Sequence, residues 1–217
     1  MNIEQARFNM VEQQIRPWEV LDQGVLDLLY VVRREEFVPA AYRALAFSDL
    51  EIPLGDGERM WAPKIEARVL QALAPKKTER ALEIGTGSGY FAALLAHRTH
   101  EVVSVEISPR LKAFGEQNLR AQGIDNVAVE LGDAAQGWDK RGTFDIIVLT
   151  GSTPVLPQAF LSQLQAGGRL FAIVGESPVM AARLVTCLGP GSFRSIDLFE
   201  TEFAPLVNAA HPSRFHF

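Results

Sequence analysis

Cysteine is nearly absent: Cys187 is the one copy among 217 residues, which excludes an intramolecular disulfide and any metal centre built on clustered thiolates. Its setting, Leu184-Val185-Thr186-Cys187-Leu188, reads as a buried strand position where a thiol acts as a small core residue. The four histidines, His97, His100, His211 and His216, show no pairing with a carboxylate or a second histidine at metal-ligand spacing. Positive charge is also short. There are 21 Lys and Arg against 26 Asp and Glu, a net charge of -5, which favours neither a nucleic-acid backbone nor an anionic membrane as partner. No apolar run approaches the ~20 residues of a membrane-crossing helix. The first residues lack the charged-then-apolar layout of a secretory signal, so the expected location is the cytoplasm.

What the chain does contain is apolar patterning. Hydrophobic residues make up 47% and charged residues 22%, a balance that suits one α/β domain with its own core. Ile3, Met10, Val11 and Ile15 fall at helical spacing until Arg16-Pro17 ends the pattern, and Val25, Leu28, Leu29 and Val32 mark a second helix. Arg33-Arg34-Glu35-Glu36 reads as a solvated polar patch. Residues 39–63 read as irregular, punctuated by Pro39, Pro53, Gly55, Gly57 and Pro63. Pro63, with no N–H to satisfy, suits the first position of a helix that buries Ile65, Val69, Leu70 and Leu73.

The rhythm changes from residue 80. Apolar runs at 81–84, 102–105, 127–131, 144–149 and 170–174 are separated in most cases by helical candidates at 89–98, 109–121 and 155–165. This pattern predicts a doubly wound, mostly parallel sheet covered on both faces. Strand-like stretches at 179–188 and 193–203 without intervening helices predict an antiparallel C-terminal edge. The expected organisation is a single domain over 1–217, with a helical N-terminal extension in 1–75 and the sheet in 76–217.

Ala81-Leu82-Glu83-Ile84-Gly85-Thr86-Gly87-Ser88-Gly89-Tyr90 lies where the first of these strands meets its helix. Gly85, Gly87 and Gly89 permit a tight turn and close approach of the backbone to a ligand. A dinucleotide fingerprint would place its last glycine at position 90, which is Tyr90, and a phosphate loop would need a lysine that is missing. Glu83 would repel a pyrophosphate but favours a cation, such as the ammonium and sulfonium of S-adenosylmethionine. Glu106 ends the next strand, about 20 residues on, where a carboxylate can accept both ribose hydroxyls. Asp133, after the third strand, can accept from the adenine amino group. Carboxylates at the C-terminal ends of parallel strands lie where open sheets place their ligands.

Several of these stretches resemble the protein-L-isoaspartate O-methyltransferases. Glu83-Ile84-Gly85-Thr86-Gly87-Ser88-Gly89-Tyr90 is similar to that family's glycine motif almost letter for letter. Met10-Val11-Glu12-Gln13-Gln14-Ile15 resembles its N-terminal helix, and Val32-Arg33-Arg34-Glu35-Glu36-Phe37-Val38-Pro39 the segment that follows. Gly132-Asp133-Ala134-Ala135-Gln136-Gly137-Trp138 resembles its adenine-side motif, and Phe144-Asp145-Ile146-Ile147-Val148-Leu149-Thr150 its fourth strand. With the Gly-Gly and strand segment at 161–174, the likeness covers roughly 5–175. It implies a Rossmann-like class I methyltransferase fold and S-adenosyl-L-methionine as cofactor. It also implies methyl transfer to a carboxylate of isomerised aspartate in damaged protein, a repair reaction. Cofactor contacts are then expected from Glu83, Gly85, Thr86, Gly87, Ser88 and Gly89, from Glu106 with Ile107, from Asp133 with Ala134, and from Thr150.

Two positions depart from the family pattern. Its Thr-Ile-Ser-x-Pro, whose serine is regarded as the active-site residue, aligns with Arg59-Met60-Trp61-Ala62-Pro63, so Trp61 takes the catalytic place. Its Val-Pro-Leu-Thr aligns with Ala204-Pro205-Leu206-Val207, without the hydroxyl. Met60, Trp61, Ala62, Pro63 and Val207 are therefore the acceptor-side candidates. Trp61 either packs to close the cleft or offers an aromatic face to the sulfonium or the acceptor. The leading expectation is a divergent isoaspartyl methyltransferase acting on a protein or peptide. A methyltransferase for a small-molecule or RNA acceptor and a non-catalytic cofactor-binding module stay open. Thr150-Gly151-Ser152-Thr153-Pro154 lacks the Asn-Pro-Pro-Tyr pattern of base methylation. The tail over 211–217 docks either on the body or on a partner.

Overall fold

Alternate residues of each inner strand pack into different cores, and this fixes a sheet with two covered faces. The computed structural model describes residues 2–212. Its seven-stranded sheet has the order β5-β4-β3-β6-β7-β8-β9. These strands are β3 (Arg80–Ile84), β4 (Glu101–Glu106), β5 (Val127–Leu131), β6 (Phe144–Thr153), β7 (Leu164–Glu176), β8 (Val179–Gly189) and β9 (Ser192–Glu200). Pairing is parallel from β5 through β7 and antiparallel for β7–β8 and β8–β9. Ala81, Val102, Ile146, Val148 and Phe171 enter one core, and Leu82, Val103, Ile147, Leu149 and Leu170 enter the other.

Helices cover both faces. The first core takes in α3 (Pro63–Leu73), α4 (Tyr90–Ala96) and the inner face of α5 (Pro109–Ala121) through Leu111 and Leu119. Ser108 caps α5, accepting from Leu111 N, and Pro109 follows it at the first helical position. The second core is closed by Trp138 and by Phe160 of the short α6 (Gln158–Ser162). Buried Cys187 of β8 also belongs to it.

The N-terminal stretch runs as α1 (Ile3–Asn9), a wide π turn over Met10–Ile15 and, after a short 3-10 turn, α2 (Gln23–Val31). It lies against the first core through Met10, Val11, Ile15, Leu26 and Leu29. No helix among the described residues is long and apolar enough to cross a membrane.

Two expectations are corrected. Residues 39–63 are not irregular throughout, because β1 (Ile52–Gly55) and β2 (Glu58–Met60) form an antiparallel hairpin. Its turn residues Asp56 (φ 55) and Gly57 (φ 86) are both left-handed, the geometry that matches a two-residue hairpin to strand twist. The run Arg33-Arg34-Glu35-Glu36 is not a solvated patch either. Arg34 and Glu35 are buried, Arg34 paired with Glu66 of α3 and Glu35 with Arg7 of α1, and pairing is what makes such burial tolerable. Phe215, His216 and Phe217 of the expected docking tail lie outside the described residues.

Candidate active site

Chain order along the sheet reverses at β3. From there the chain moves outward through β4 and β5, then returns to add β6 on the opposite side. The crevice beyond the carboxyl ends of β3 and β6 is thus the topological switch point, where open parallel sheets bind ligands. A cavity opens there, and the glycine turn after β3 forms its floor.

Gly85 has φ 99, and a Cβ on it would lie 2.2 Å from Thr150 Oγ1, so a side chain is excluded twice over. Thr150 itself donates to the carbonyls of Ile84 and Gly85, at 2.8 Å each. Its hydroxyl braces the turn while the residue lines the cavity. Thr86, Gly87 and Ser88 also line it, whereas Gly89 turns away to pack close against Gly115 of α5.

The three acids flank this turn. Glu83 is fully buried; Ser104 Oγ donates to its Oε2 and also shares a 2.6 Å hydrogen bond with Thr86 Oγ1. Glu83 Oε1 has no partner among the described residues. Burial pushes the carboxyl up to about 8, the Ser104 hydrogen bond opposes this, and Glu106 and Glu66 add to it. Glu106 is oriented by two backbone donors, Gly87 N at 2.9 Å and Ser108 N at 3.0 Å. Asp133, exposed at the rim, accepts from Ala135 N at 3.0 Å and from Asn208 Nδ2 at 2.7 Å. Ile107 and Ala134 line the cavity beside these acids.

The opposite wall comes from outside the parallel strands. Leu54 of β1, and Glu58, Arg59 and Met60 of β2, line the cavity together with Trp61. Trp61 is buried, with its ring edge-on to Phe91, Phe171 and Phe203 at 5.4, 5.9 and 6.1 Å. Its carbonyl accepts from Arg34 Nη2 at 2.7 Å, and Arg34 is held in turn by Glu66 and Ala46 O. Burial pushes the Glu66 carboxyl up and Arg34 pulls it back. Ala62 faces a neighbouring groove instead, and Pro63 opens α3.

A C-terminal strap completes the enclosure. Ser152 N donates to Ala204 O and Leu206 N to Ser152 O, each at 2.9 Å, which lays residues 203–208 along the end of β6. This brings Phe203, Leu206 and Val207 to the lining. Leu54, Glu58, Arg59, Phe91, Phe203 and Leu206 were not among the sequence candidates. The Asp56-Gly57 turn signal could have disclosed the hairpin residues and the family likeness at Ala204-Pro205-Leu206-Val207 the strap, but nothing local marks Phe91.

The unpaired, fully buried oxygen of Glu83 and the two-point mounting of Glu106 fit an ammonium and a ribose diol, so the residues present suit S-adenosyl-L-methionine. A pyrophosphate there would meet Glu83, Glu106 and Asp133.

Comparison with known proteins agrees. A family model described as Protein-L-isoaspartate(D-aspartate) O-methyltransferase (PCMT) matches residues 5–211. The protein-L-isoaspartate O-methyltransferase 1 of Syntrophobacter fumaroxidans is 38% identical over 207 residues, 95% of this chain and 96% of that one. The protein-L-isoaspartate O-methyltransferase of Gloeobacter violaceus is 38% identical over 198 residues, covering 91% and 97%. In three dimensions the fold is shared with a Plasmodium falciparum structure described as a protein-L-isoaspartate O-methyltransferase in complex with S-adenosyl-L-homocysteine. That similarity has a TM-score of 0.80 at 21% identity over 92% of this chain and 97% of that one.

Proposed function

The chain belongs to the protein-L-isoaspartate(D-aspartate) O-methyltransferase family, and from that premise we propose that it methylates a carboxylate of isoaspartate in damaged protein. S-adenosyl-L-methionine is the methyl donor. Bound in the crevice, it supplies a methyl group on a sulfonium whose departure leaves a neutral thioether. The observation that carries the donor is the gathering of Glu83, Glu106 and Asp133 around one cavity at the switch point, and the acceptor rests on the family match over residues 5–211.

Each side chain then has a task. Glu83 Oε1 accepts from the ammonium of the donor, Glu106 from the ribose hydroxyls and Asp133 from the adenine amino group. The N–H groups of Gly87 and Ser108 keep the Glu106 carboxylate aimed, so its position does not depend on the ligand. Phe91, Phe203 and Leu206 keep water from the reacting end. The acceptor needs no general base, because a carboxylate with an ordinary pKa of about 3.9 is ionised at neutral pH. Rate comes from alignment, so the exchange of the family serine for Trp61 changes how the acceptor is positioned and spares the chemistry.

The test is incubation with radiolabelled S-adenosyl-L-methionine and an isoaspartyl peptide, with the normal aspartyl peptide as control. Base-labile label on the isoaspartyl peptide alone is expected. Donor binding without label on that peptide, or label on a small acceptor instead, overturns the substrate assignment.

A further inference from the structure

The cavity carries an imbalance of charge. Its lining holds five carboxylates (Glu58, Glu66, Glu83, Glu106 and Asp133) against one cationic side chain, Arg59. Glu66 is matched from beneath by Arg34, and Glu83, Glu106 and Asp133 belong to the donor. With those four accounted for, an acceptor carboxylate entering this crevice finds one cationic side chain in its lining, Arg59.

Arg59 is well placed to be used. It is exposed and ion-paired with Glu51 at 3.6 Å, a separation too long for a hydrogen bond, so its donors stay open to a second carboxylate. Among the described residues its guanidinium makes no hydrogen bond. Arg59 also lines the neighbouring groove with Trp18 and Lys64, so it stands where the cavity opens outward. Two residues on, along the same extended stretch, Trp61 lines the cavity too. Its indole N–H is buried and has no partner among the described residues. A buried donor without an acceptor is a group that a ligand can satisfy.

We propose that Arg59 and the indole N–H of Trp61 position the acceptor, each donating to one oxygen of the carboxylate that is methylated. The inference rests on the isoaspartyl reading and adds a specificity device to it. It also has a direction. Methylation removes the negative charge, so Arg59 holds the substrate more tightly than the ester product, and its contribution is to acceptor binding more than to the chemical step.

The experiment uses the full chain saturated with S-adenosyl-L-homocysteine. Calorimetry compares an isoaspartyl peptide with the same peptide whose acceptor carboxylate is an amide. Wild type should prefer the acid by about tenfold or more, and Arg59→Ala should abolish the preference while leaving affinity for the amide unchanged. Arg59→Lys should restore part of it. Trp61→Phe, which keeps the ring and loses the N–H, should weaken the acid selectively. In turnover, Arg59→Ala should raise KM for the peptide by a larger factor than it lowers kcat, with the KM for the donor nearly unchanged.

Equal affinity for acid and amide in wild type overturns the inference. So does a preference that survives Arg59→Ala, and the exposed position of Arg59 makes misfolding a poor explanation. A carboxylate preference that depends on Arg59, without methyl transfer, would overturn the isoaspartyl function while leaving this site intact. Transfer without that dependence would do the reverse.

Discussion

Burial pushes the Glu83 carboxyl up to about 8, which favours its protonated form at neutral pH. A cationic ligand group at Oε1 reverses that preference. Donor binding at pH 7 is therefore expected to release close to one proton, measurable as a dependence of the calorimetric enthalpy on the buffer's ionisation enthalpy. Glu83→Gln should abolish the release and weaken donor binding most above pH 8. The same shift sets a stability profile. A group raised on folding stabilises the native state fully below its unfolded value, and the contribution is lost as pH rises through about 8. The glutamine variant lacks this loss, so its stability relative to wild type should climb from pH 5 to pH 9 in urea titrations. That Glu83 faces a ligand was legible from its place two residues before Gly85. That it rests on Ser104 was not, because the contact joins neighbouring strands and leaves no local trace.

Among the elements, α3 and the turn after α2 are fastened by the buried Arg34–Glu66 pair. Removing one partner strands the other charge, so Arg34→Met should cost roughly 3–5 kcal/mol in urea unfolding. Arg34→Met combined with Glu66→Leu should recover most of that loss. The run Arg33–Glu36 reads as surface because charges are seldom buried without partners, and this partner lies 32 residues away. The hairpin escapes notice for another reason. Asp56-Gly57 is a sound turn signal, but flanking strands of four and three residues are too short for an alternation to register. The strap is the third such element. A Cβ on Gly151 would come within 2.8 Å of Leu206 Cδ2 and 3.0 Å of its backbone nitrogen. Gly151→Ala is therefore expected to lift residues 203–208 and weaken donor affinity several-fold by calorimetry, with far-UV circular dichroism unchanged.

At the scale of the whole molecule, the parallel sheet was readable almost strand by strand. Each inner strand is buried on both faces and so reads as a mostly apolar run, interrupted by Glu83 in β3, Ser104 in β4 and Asp145 in β6. Ligand linkage acts on all of it at once. S-adenosyl-L-homocysteine at about a hundredfold excess over its Kd should add about 2.7 kcal/mol, a rise of roughly 5–10 °C in Tm for a chain of this size. A thermal melt series against ligand concentration checks this.

The bond from Thr150 to Ile84 and Gly85 has a further consequence. It clamps the two central strands to the turn between them, so the donor's half of the crevice moves only if the sheet moves. The facing half is made from a short ribbon outside that sheet and a returning tail hydrogen-bonded to Ser152 at the end of β6. New acceptors can thus arise through substitutions in the ribbon while the methyl source stays the same.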